Sequence, residues 1–397
     1  MKTFNWSILR STRLWASFLA LVLGSSTAAG TPASPAAARA PAFPLATPQL
    51  MEQAEAQAAQ AGRVSAGSVP CTRKHQHGLR YSVLRLATQG RDIHLNAVNN
   101  HGWVVGDTRA ASGDLIPTLW IGGQAFDLGN LGGRSGGASD INDRGQVVGA
   151  SSGADDVSRA FLWYRGRMTA LGNLDGGTAR SSAHSINRAG VVSGESAIPV
   201  SGPGSLQAQA VLWRNGAPRA LPGIGGGARA GAYHINDAGY SVGFGYDAAT
   251  DQHAILWTPK GEAVSLGTNW IAVDINNARL VAGYAFVGRE TVKPATWYRG
   301  LQTILPTLGG ENGMVYGINE HGHAVGVSET PTGQERATLW LEGRPVQIDT
   351  LLADGEQGMA IAAAYAINDK GQIAAVQRLP DNVMLPLLLT PRRCHGK

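Results

Sequence analysis

The sequence predicts an all-β protein, a seven-bladed β-propeller built from four-stranded antiparallel blades. Three observations carry this prediction. A phrase of an apolar residue, Asn, two variable residues and usually Gly recurs seven times at intervals of 40 to 49 residues, a Trp follows most copies, and a Leu-Gly phrase or a relative of it follows the Trp. Four short strands in about 45 residues are typical of a propeller blade. The coils of a β-solenoid are usually shorter and lack repeated hairpin turns, and a sandwich would not repeat seven times.

The repeated Asn is expected to form a tight turn between the first and second strands of each blade. Asn favours the first position of a type I turn because its side chain caps backbone N–H groups, and Gly favours the fourth position. Six copies carry this Gly, and the fifth copy carries Arg279. We therefore interpret the repeated Asn residues as turn formers, not as an amide array for ligands. They are Asn99, Asn142, Asn187, Asn236, Asn276, Asn319 and Asn368.

The repeated Trp is expected to pack between blades, because one aromatic residue at a constant register in a strand is typical of a core position. The seventh repeat has Leu389 at this position. In the second repeat we place the four strands near residues 138–142, 146–151, 159–163 and 168–172. The Trp residues are Trp120, Trp163, Trp257, Trp297 and Trp340, each 21 residues after its Asn, and Trp213, which lies 26 residues after.

The two ends of the chain are expected to share one blade. The last repeat stops after its third strand, near residues 387–390, whereas residues 81–86 have the pattern of a fourth strand with no repeat before them. Closure by this N-terminal strand removes the free edge of an open array. It would also bring Cys71 and Cys394 close together, so we predict a disulfide bond between them in an oxidising compartment.

The N-terminal residues 1–30 have the pattern of a signal peptide. Lys2, Arg10 and Arg13 precede an apolar run over residues 14–23, which is half the length of about 20 residues that a membrane span needs. We expect a secreted or periplasmic protein with no transmembrane segment in the mature chain. Removal of residues 1–30 lowers the formal net charge from +5 to +2, which argues against nucleic-acid binding. Residues 31–70 are predicted to be an Ala/Pro-rich linker with a short helix near 48–62, and residues 71–397 the propeller.

The repeats resemble the extracellular HAF repeat family of bacterial proteins. The motifs that carry the resemblance are His-Ala-Ile-Leu-Trp at 253–257, Arg-Ala-Phe-Leu-Trp at 159–163, the Leu-Gly-x-Leu-Gly-Gly run at 128–133 and Ile-Asn-x-x-Gly-x-Val-Val-Gly at 141–149. The resemblance covers about residues 81–390 and implies an exported repeat protein, but it implies no established activity. Ala375, which replaces a Gly of the other copies, departs from the pattern together with Arg279 and Leu389.

Candidate ligand-binding residues are expected at the mouth of the central channel. The loops between second and third strands and the Gly-rich links between blades share one end of the propeller, and long variable loops on a rigid scaffold usually carry binding. Each of these side chains taken alone is better explained as a solvated loop residue or as part of a polar channel wall. The candidates are Arg134, Asp140, Arg180, His184, Arg229, Tyr233, His234, Trp270, Asp274, Glu311, Tyr316 and Tyr365.

The sequence favours a binding or interaction module over an enzyme. No catalytic motif stands in its required strand–helix context, and we expect no cofactor and no metal site. A propeller-based hydrolase or lyase with a site at the channel mouth is the alternative, and a structural matrix component is a third. The expected partner is a protein, a glycan or a small molecule, and the expected state is a monomer.

Overall fold

The seven repeats form seven four-stranded antiparallel sheets, each of which is one blade of a closed β-propeller. This computed structural model describes residues 43–64, 79–88, 92–177, 179–199, 206–227, 229–288, 290–353, 355–381 and 383–393. The predicted fold class is confirmed. In blades 1 to 6 the strands follow chain order from the axis outwards, so the first strand of each blade faces the central channel.

The strands have the following bounds. Blades 1 to 3 contain β2 (Ile93–Val98), β3 (Val104–Arg109), β4 (Leu115–Ile121), β5 (Gln124–Asp127), β6 (Gly132–Ile141), β7 (Val147–Gly153), β8 (Ser158–Tyr164), β9 (Arg167–Ala170), β10 (Ser181–Ile186), β11 (Val192–Pro199), β12 (Leu206–Arg214) and β13 (Ala217–Ala220). Blades 4 to 6 contain β14 (Ala230–Ile235), β15 (Ser241–Tyr246), β16 (Gln252–Trp257), β17 (Ala263–Thr268), β18 (Trp270–Ile275), β19 (Val281–Val287), β20 (Thr291–Tyr298), β21 (Leu301–Ile304), β22 (Gly313–Ile318), β23 (Ala324–Glu329), β24 (Glu335–Leu341) and β25 (Arg344–Gln347). Blade 7 contains β26 (Ile361–Ile367), β27 (Ile373–Arg378), β28 (Met384–Arg393) and β1 (Leu79–Arg85), and a 3-10 helix (Ile348–Leu351) precedes it.

The first turn of each blade is built around the repeated Asn. In the fifth repeat the amide of Arg279 donates to the carbonyl of Asn276 at 3.0 Å, as the Gly amide does in the other six. Arg279 takes the left-handed conformation with φ +65°, which costs a non-Gly residue about 1–2 kcal/mol. Its guanidinium lies 5.4 Å from the ring centroid of Tyr240 in the preceding blade, a cation–π contact that offsets part of this cost.

A β-bulge in each first strand explains the Gly that lies in the facing second strand. In blades 1 to 6 the register shifts between the residues four and two positions before the Asn. A Cβ on the facing Gly would lie only 1.9–2.1 Å from a carbonyl of the first strand, so no side chain fits there. Blade 7 has Ala375 at this position and contains a second register shift, between Ile361 and Ala363.

The seven repeated Asn residues form a closed ring of hydrogen bonds around the axis, which we call the Asn ring. Each Nδ2 donates to the carbonyl of the Asn in the next blade at 2.7–3.2 Å, and Asn368 closes the circle on Asn99. Each Oδ1 accepts the amide four residues later in its own turn. The turn-forming prediction is confirmed, and the same side chains also join the blades.

The repeated Trp residues pack between blades, as the sequence predicts. Trp120, Trp163, Trp213, Trp257 and Trp340 are at most 1% exposed, whereas Trp297 is half-buried. The indole of Trp257 donates to the carbonyl of Pro222 at 2.8 Å, and Pro222 follows the last strand of the preceding blade. The indoles of Trp120, Trp213 and Trp340 make the equivalent bond to Ala87, Gly172 and Pro306.

The N-terminal strand β1 completes blade 7 by pairing with β28 in antiparallel register, from Leu79 with Arg393 to Arg85 with Leu387. Arg80 donates from its buried guanidinium to the carbonyl of Leu352 at 2.8 Å. The predicted closure is confirmed. Cys71 and Cys394 lie outside the described residues, so their disulfide stays a prediction, and so does the signal peptide over residues 1–30.

A segment that the sequence places in the linker lies against blade 1. Helix α1 (Pro48–Val64) buries Met51 and Ala54 in the cluster that contains Leu119 and Ile121 of β4. Just before the helix, the amide of Ala46 donates to the carbonyl of Asp127 at 3.0 Å. Residues 43–60 therefore extend the core of the first blade.

We expect the Asn236→Ala variant to unfold at a lower urea concentration than the native chain. Asn236 is 4% exposed. The change leaves the Tyr240 amide without its acceptor and removes one of the two hydrogen bonds to the Asn276 carbonyl, which keeps the bond from the Arg279 amide. Loss of these bonds should lower the free energy of unfolding by about 1–3 kcal/mol. Gln302→Ala in the exposed outer strand β21 is the control. Equal unfolding curves for the two variants would show that the Asn ring does not stabilise the fold.

Candidate functional site

The bulged first strands place one or two side chains of each blade at the channel. Because the bulge interrupts the alternation of the strand, residues two and three positions before the repeated Asn can both face the axis. Blades 3 and 6 contribute one side chain each, because Ser185 is buried outside the cavity lining and residue 317 is Gly317, which has no side chain. Polar and aromatic side chains dominate these positions, although the surrounding scaffold repeats. The cavity is lined at these positions by Asn96, Ala97, Ser139, Asp140, His184, Tyr233, His234, Val273, Asp274, Tyr316, Tyr365 and Ala366.

These residues line a cavity of about 680 Å³, which we call the axial cavity. All seven Asn turns contribute to its wall. Its lining carries seven carboxyl side chains, against two arginines, Arg109 and Arg188. The excess of acidic groups makes the cavity electronegative. The carboxyl groups are those of Asp107, Asp140, Asp143, Asp237, Asp274, Glu320 and Asp369.

Most of the cavity lining lies in the first strands and the tight turns, and only Arg109 and Leu115 of blade 1 flank one of the variable loops where the sequence analysis expects the ligand. The reason is geometric. The Asn turns are at the ends of the innermost strands, so they converge on the axis, whereas the loops between second and third strands begin one strand farther out. The long loops therefore surround the opposite face at a greater distance from the axis.

The residue after each repeated Asn forms a second ring at the cavity mouth, which we call the turn rim. Backbone amides donate to the rim side chain of the next blade, as when the amide of Arg188 donates to Asp237 at 2.8 Å. Six of the seven links occur among the described residues. The seventh would need an acceptor from Arg188, and a guanidinium can only donate. The rim is Asn100, Asp143, Arg188, Asp237, Asn277, Glu320 and Asp369.

Asp140, His234 and Asp274 form an ion cluster on the cavity wall. Nδ1 of His234 lies 2.9 Å from a carboxylate oxygen of Asp274. Burial lowers the pKa of His234, but the charges of Asp274 and Asp140 outweigh it and raise the pKa to about 9. Burial raises the pKa of Asp140, which accepts bonds from the Ser185 hydroxyl at 2.7 Å and the Ile186 amide at 2.8 Å. His234 is therefore a cation at neutral pH.

Two pairs of rings border this cluster. Tyr316 and Tyr365 stack with centroids 5.6 Å apart and planes inclined by 14°, and His184 lies 5.6 Å from Tyr233. Burial lowers the pKa of His184 to about 4, so this imidazole is neutral at pH 7. Its Nδ1 is buried without a hydrogen-bond partner among the described residues, which leaves an acceptor beside the cavity.

Glu195 is a functional candidate that the sequence analysis missed. Glu195 pairs with Ser182 of the neighbouring strand in blade 3. Its side chain reaches blade 4, because a Cβ added to Gly231 would lie 3.1 Å from its Oε2. Burial raises the pKa of Glu195 to about 7, although Arg229 and Arg180 oppose the shift. Within the described part of the chain, Oε2 of Glu195 and Oγ of Ser182 have no hydrogen-bond partner.

His94 and Asp107 form a second pair that sequence reasoning did not find. Nδ1 of His94 lies 2.7 Å from Asp107. Burial lowers the pKa of His94, but the hydrogen bond and charge of Asp107 outweigh it and raise the pKa. Asp107 and Glu195 hold the same place in the repeat, directly after the Gly of the second strand, where the other blades have apolar or aromatic residues. An acidic residue at an otherwise apolar position is the signal that could have identified both.

The structure brings seven of the twelve predicted site residues to the axial cavity and leaves five outside its lining. Trp270 is fully buried in an interblade core cluster, and its indole donates to the carbonyl of Leu266 at 3.2 Å. Its placement at the channel mouth was therefore wrong. Arg134 pairs with Asp114 at 3.2 Å, and Glu311 is exposed. The positive charges of Arg180 and Arg229 lower the pKa of Glu195, against the effect of burial. The seven lining residues are Asp140, His184, Tyr233, His234, Asp274, Tyr316 and Tyr365.

Within the described ranges, no three His, Cys, Asp or Glu side chains are grouped so that they could hold a metal ion. No helix in the same part of the chain has the length and apolar character needed to cross a membrane.

No protein-family model matches the chain, and no curated protein matches its sequence significantly. Solved structures with a similar fold include the β-propeller domain of the Trilobed protease from Pyrococcus furiosus, with 8% identity, a TM-score of 0.49 and coverage of 78% of this chain and 97% of that one. A prolyl endopeptidase aligns with 11% identity and a TM-score of 0.46 over 88% and 56% of the two chains. The BP39L lectin from Burkholderia pseudomallei aligns with 10% identity and a TM-score of 0.39 over 80% and 96%. These similarities concern the propeller fold alone.

Proposed function

We propose that the chain is an exported propeller module that binds a small organic cation in the axial cavity. The observation that carries the proposal is the surplus of carboxyl groups around a cavity of about 680 Å³ to which every blade contributes. A volume in this range suits a small molecule. Export is supported by the pattern of residues 1–30, and membership of the HAF repeat family by the repeated motifs.

The carboxyl groups at the cavity repel one another. Burial raises the pKa of Glu320, and the negative charges of Asp369, Asp237 and Asp274 raise it further, although a hydrogen bond from Asn277 opposes the shift. A bound cation would relieve this repulsion, because opposite charges within a few ångströms favour the ionised carboxylates. The same groups would disfavour an anionic ligand.

The aromatic side chains favour an organic cation over a metal ion. Tyr316 and Tyr365 present a stacked ring pair to the cavity, and ring faces attract ammonium and guanidinium groups. All four rim carboxylates already accept amide hydrogen bonds. They would act on a ligand mainly through their charge and less as direct metal ligands.

A hydrolase or lyase is the second candidate, and Glu195 is the observation that favours it. A carboxyl group with a pKa of about 7 can both give and take a proton at neutral pH. Tyr233 and neutral His184 lie on the same side of the channel. Binding is preferred because the charge surplus belongs to the cavity itself, whereas Glu195 lies outside its lining.

We expect at least one organic cation to bind saturably in calorimetric titrations of residues 31–397. The panel is tetramethylammonium, agmatine and spermidine, with tert-butanol as a neutral comparison. Removing one charge with Glu320→Gln should weaken binding about fivefold, because a charge pair near water contributes about 1 kcal/mol. Glu262→Gln, an exposed glutamate in a turn of blade 4, should bind as the native chain does. The proposal fails if the panel does not bind or if tert-butanol binds equally well.

Affinity for tetramethylammonium should rise with pH, because this cation does not titrate. As the pH falls, Asp140 and Glu320 become neutral before carboxyl groups of ordinary pKa do, because their pKa values are raised. At high pH His234 loses its positive charge near its pKa of about 9, and the cavity becomes more negative. Titrations across this range should show the upper step, and His234→Gln should lack it. An unchanged affinity through pH 9 in the native chain would contradict the assigned charge of His234.

The second candidate function predicts a product. If Glu195 is a general acid or base, mass spectrometry of a bound compound after prolonged incubation should show its conversion. Glu195→Gln should then abolish conversion while the calorimetric affinity persists. Recovery of every bound compound unchanged would leave binding as the function.

A further inference from the structure

A second cleft lies between blades 6 and 7, on the face opposite the Asn ring. It encloses about 670 Å³ and is lined by the ends of β23, β24 and β27, by the start of β26 and by the residues that precede it. Gly358, Ala360 and Ala362 give it a small-residue wall. Because these side chains are so short, they leave open space in the cleft beside Gln377 and Arg378, which also line it.

Two polar atoms in this cleft have no hydrogen-bond partner in the part of the chain that the structure describes. Gln377 is 91% buried, since only 9% of its surface is exposed, and it lines the cleft with Arg378. Oε1 of Gln377 and Nε of Arg378 are buried without a hydrogen-bond partner among the described residues. Leaving buried polar groups unpaired costs free energy. A ligand that donates to Oε1 of Gln377 and accepts from Nε of Arg378 would remove this cost.

The other charged groups of the cleft are engaged or close together. The carboxylate of Glu329 accepts from the amide of Asn312 at 2.9 Å, and Arg336 donates to Gln334 at 2.9 Å. The carboxylate of Glu335 lies 3.9 Å from Arg378, too far for a hydrogen bond. Burial raises the pKa of Glu335, and Arg378 opposes the shift.

The charges in the cleft balance, because two carboxylates, of Glu329 and Glu335, face two guanidinium groups, of Arg336 and Arg378. The cleft therefore has no excess of positive or negative groups that would attract a charged ligand. A hydroxyl group both donates and accepts, so a pair of neighbouring hydroxyls could satisfy Gln377, Arg378 and Glu335 together. An extended peptide would need apolar pockets for its side chains, and here Leu379 and Pro380 are the apolar residues larger than alanine among the lining residues described.

We propose that the blade 6–7 cleft binds a neutral saccharide through neighbouring hydroxyl groups. Gln377 Oε1 accepts a hydrogen bond from one hydroxyl, Arg378 Nε donates to that hydroxyl or the next, and the Glu335 carboxylate accepts from the second. This site is independent of the axial cavity, which lies on the channel axis and carries a net negative charge. The chain would therefore hold two ligands of different chemistry on opposite faces.

The test uses residues 31–397 on an array of neutral, acidic and amino glycans, followed by calorimetry with the methyl glycoside of the terminal sugar recognised. Trialanine is the peptide probe. Neutral glycans should bind, and acidic, amino and peptide probes should not. Arg378→Met and Gln377→Met should each weaken the methyl glycoside about tenfold or more, because a hydrogen bond to a charged or buried group is lost.

Arg344→Met is the matched control and should bind as the native chain does, because Arg344 is the exposed first residue of the outer strand β25 in the same pair of blades. Thermal melts of all variants establish that they fold, and the partly exposed Arg378 provides a test that does not depend on replacing the buried Gln377. The proposal is overturned if no neutral glycan binds, in which case water fills the cleft. It is equally overturned if trialanine binds in preference, or if folded Arg378→Met retains native affinity.

Discussion

The Asn ring is the constraint on which the rest of the molecule depends. Each Asn side chain makes two kinds of hydrogen bond. Its Oδ1 accepts from a backbone amide in the turn of its own blade, and its Nδ2 donates to a backbone carbonyl of the next blade. A carboxylate could accept but not donate, and a hydroxyl is too short to do both, so the residue type follows from the geometry. The circle closes between Asn368 and Asn99, where β1 and β28 also join the two ends of the chain. Closure is thus enforced at the axis and at the outer edge of blade 7.

The residues that repeat for structural reasons lie next to the variable residues that face the channel, in the same strand of each blade. The Asn holds the end of the first strand, and the Gly of the second strand leaves space for the bulge that precedes it. The bulge can turn two adjacent side chains towards the channel instead of one. These two positions carry no scaffold contact that must repeat in every blade. They can therefore hold Asp140, His234 or Tyr365 without changing the blade.

The axial cavity and the cleft between blades 6 and 7 differ in charge. Carboxyl groups collect at the Asn turns, where the rim residues also accept backbone amides, so structural hydrogen bonding and electrostatic attraction share the same side chains. His234 partly neutralises this field, because it is held as a cation between two carboxylates. On the opposite face the cleft beside Gln377 has balanced charges. The same fold therefore offers an electronegative site and a neutral one.

The sequence by itself determined the repeat, the Asn turn, the interblade Trp and the closing strand, because each depends on residues that recur at a fixed register. It also identified seven residues that line the axial cavity, since they belong to the first strand of a blade. It placed Trp270 wrongly because the direction of a side chain near a blade link depends on the strand register that follows. Only the tertiary structure decided that Glu195 approaches Gly231 and that the charges of Asp140 and Asp274 raise the pKa of His234. It also decided that Oε1 of Gln377 lacks a hydrogen-bond partner among the described residues. These facts arise between blades or between strands that are distant in sequence, and a repeat pattern carries no information about what its neighbours leave unpaired.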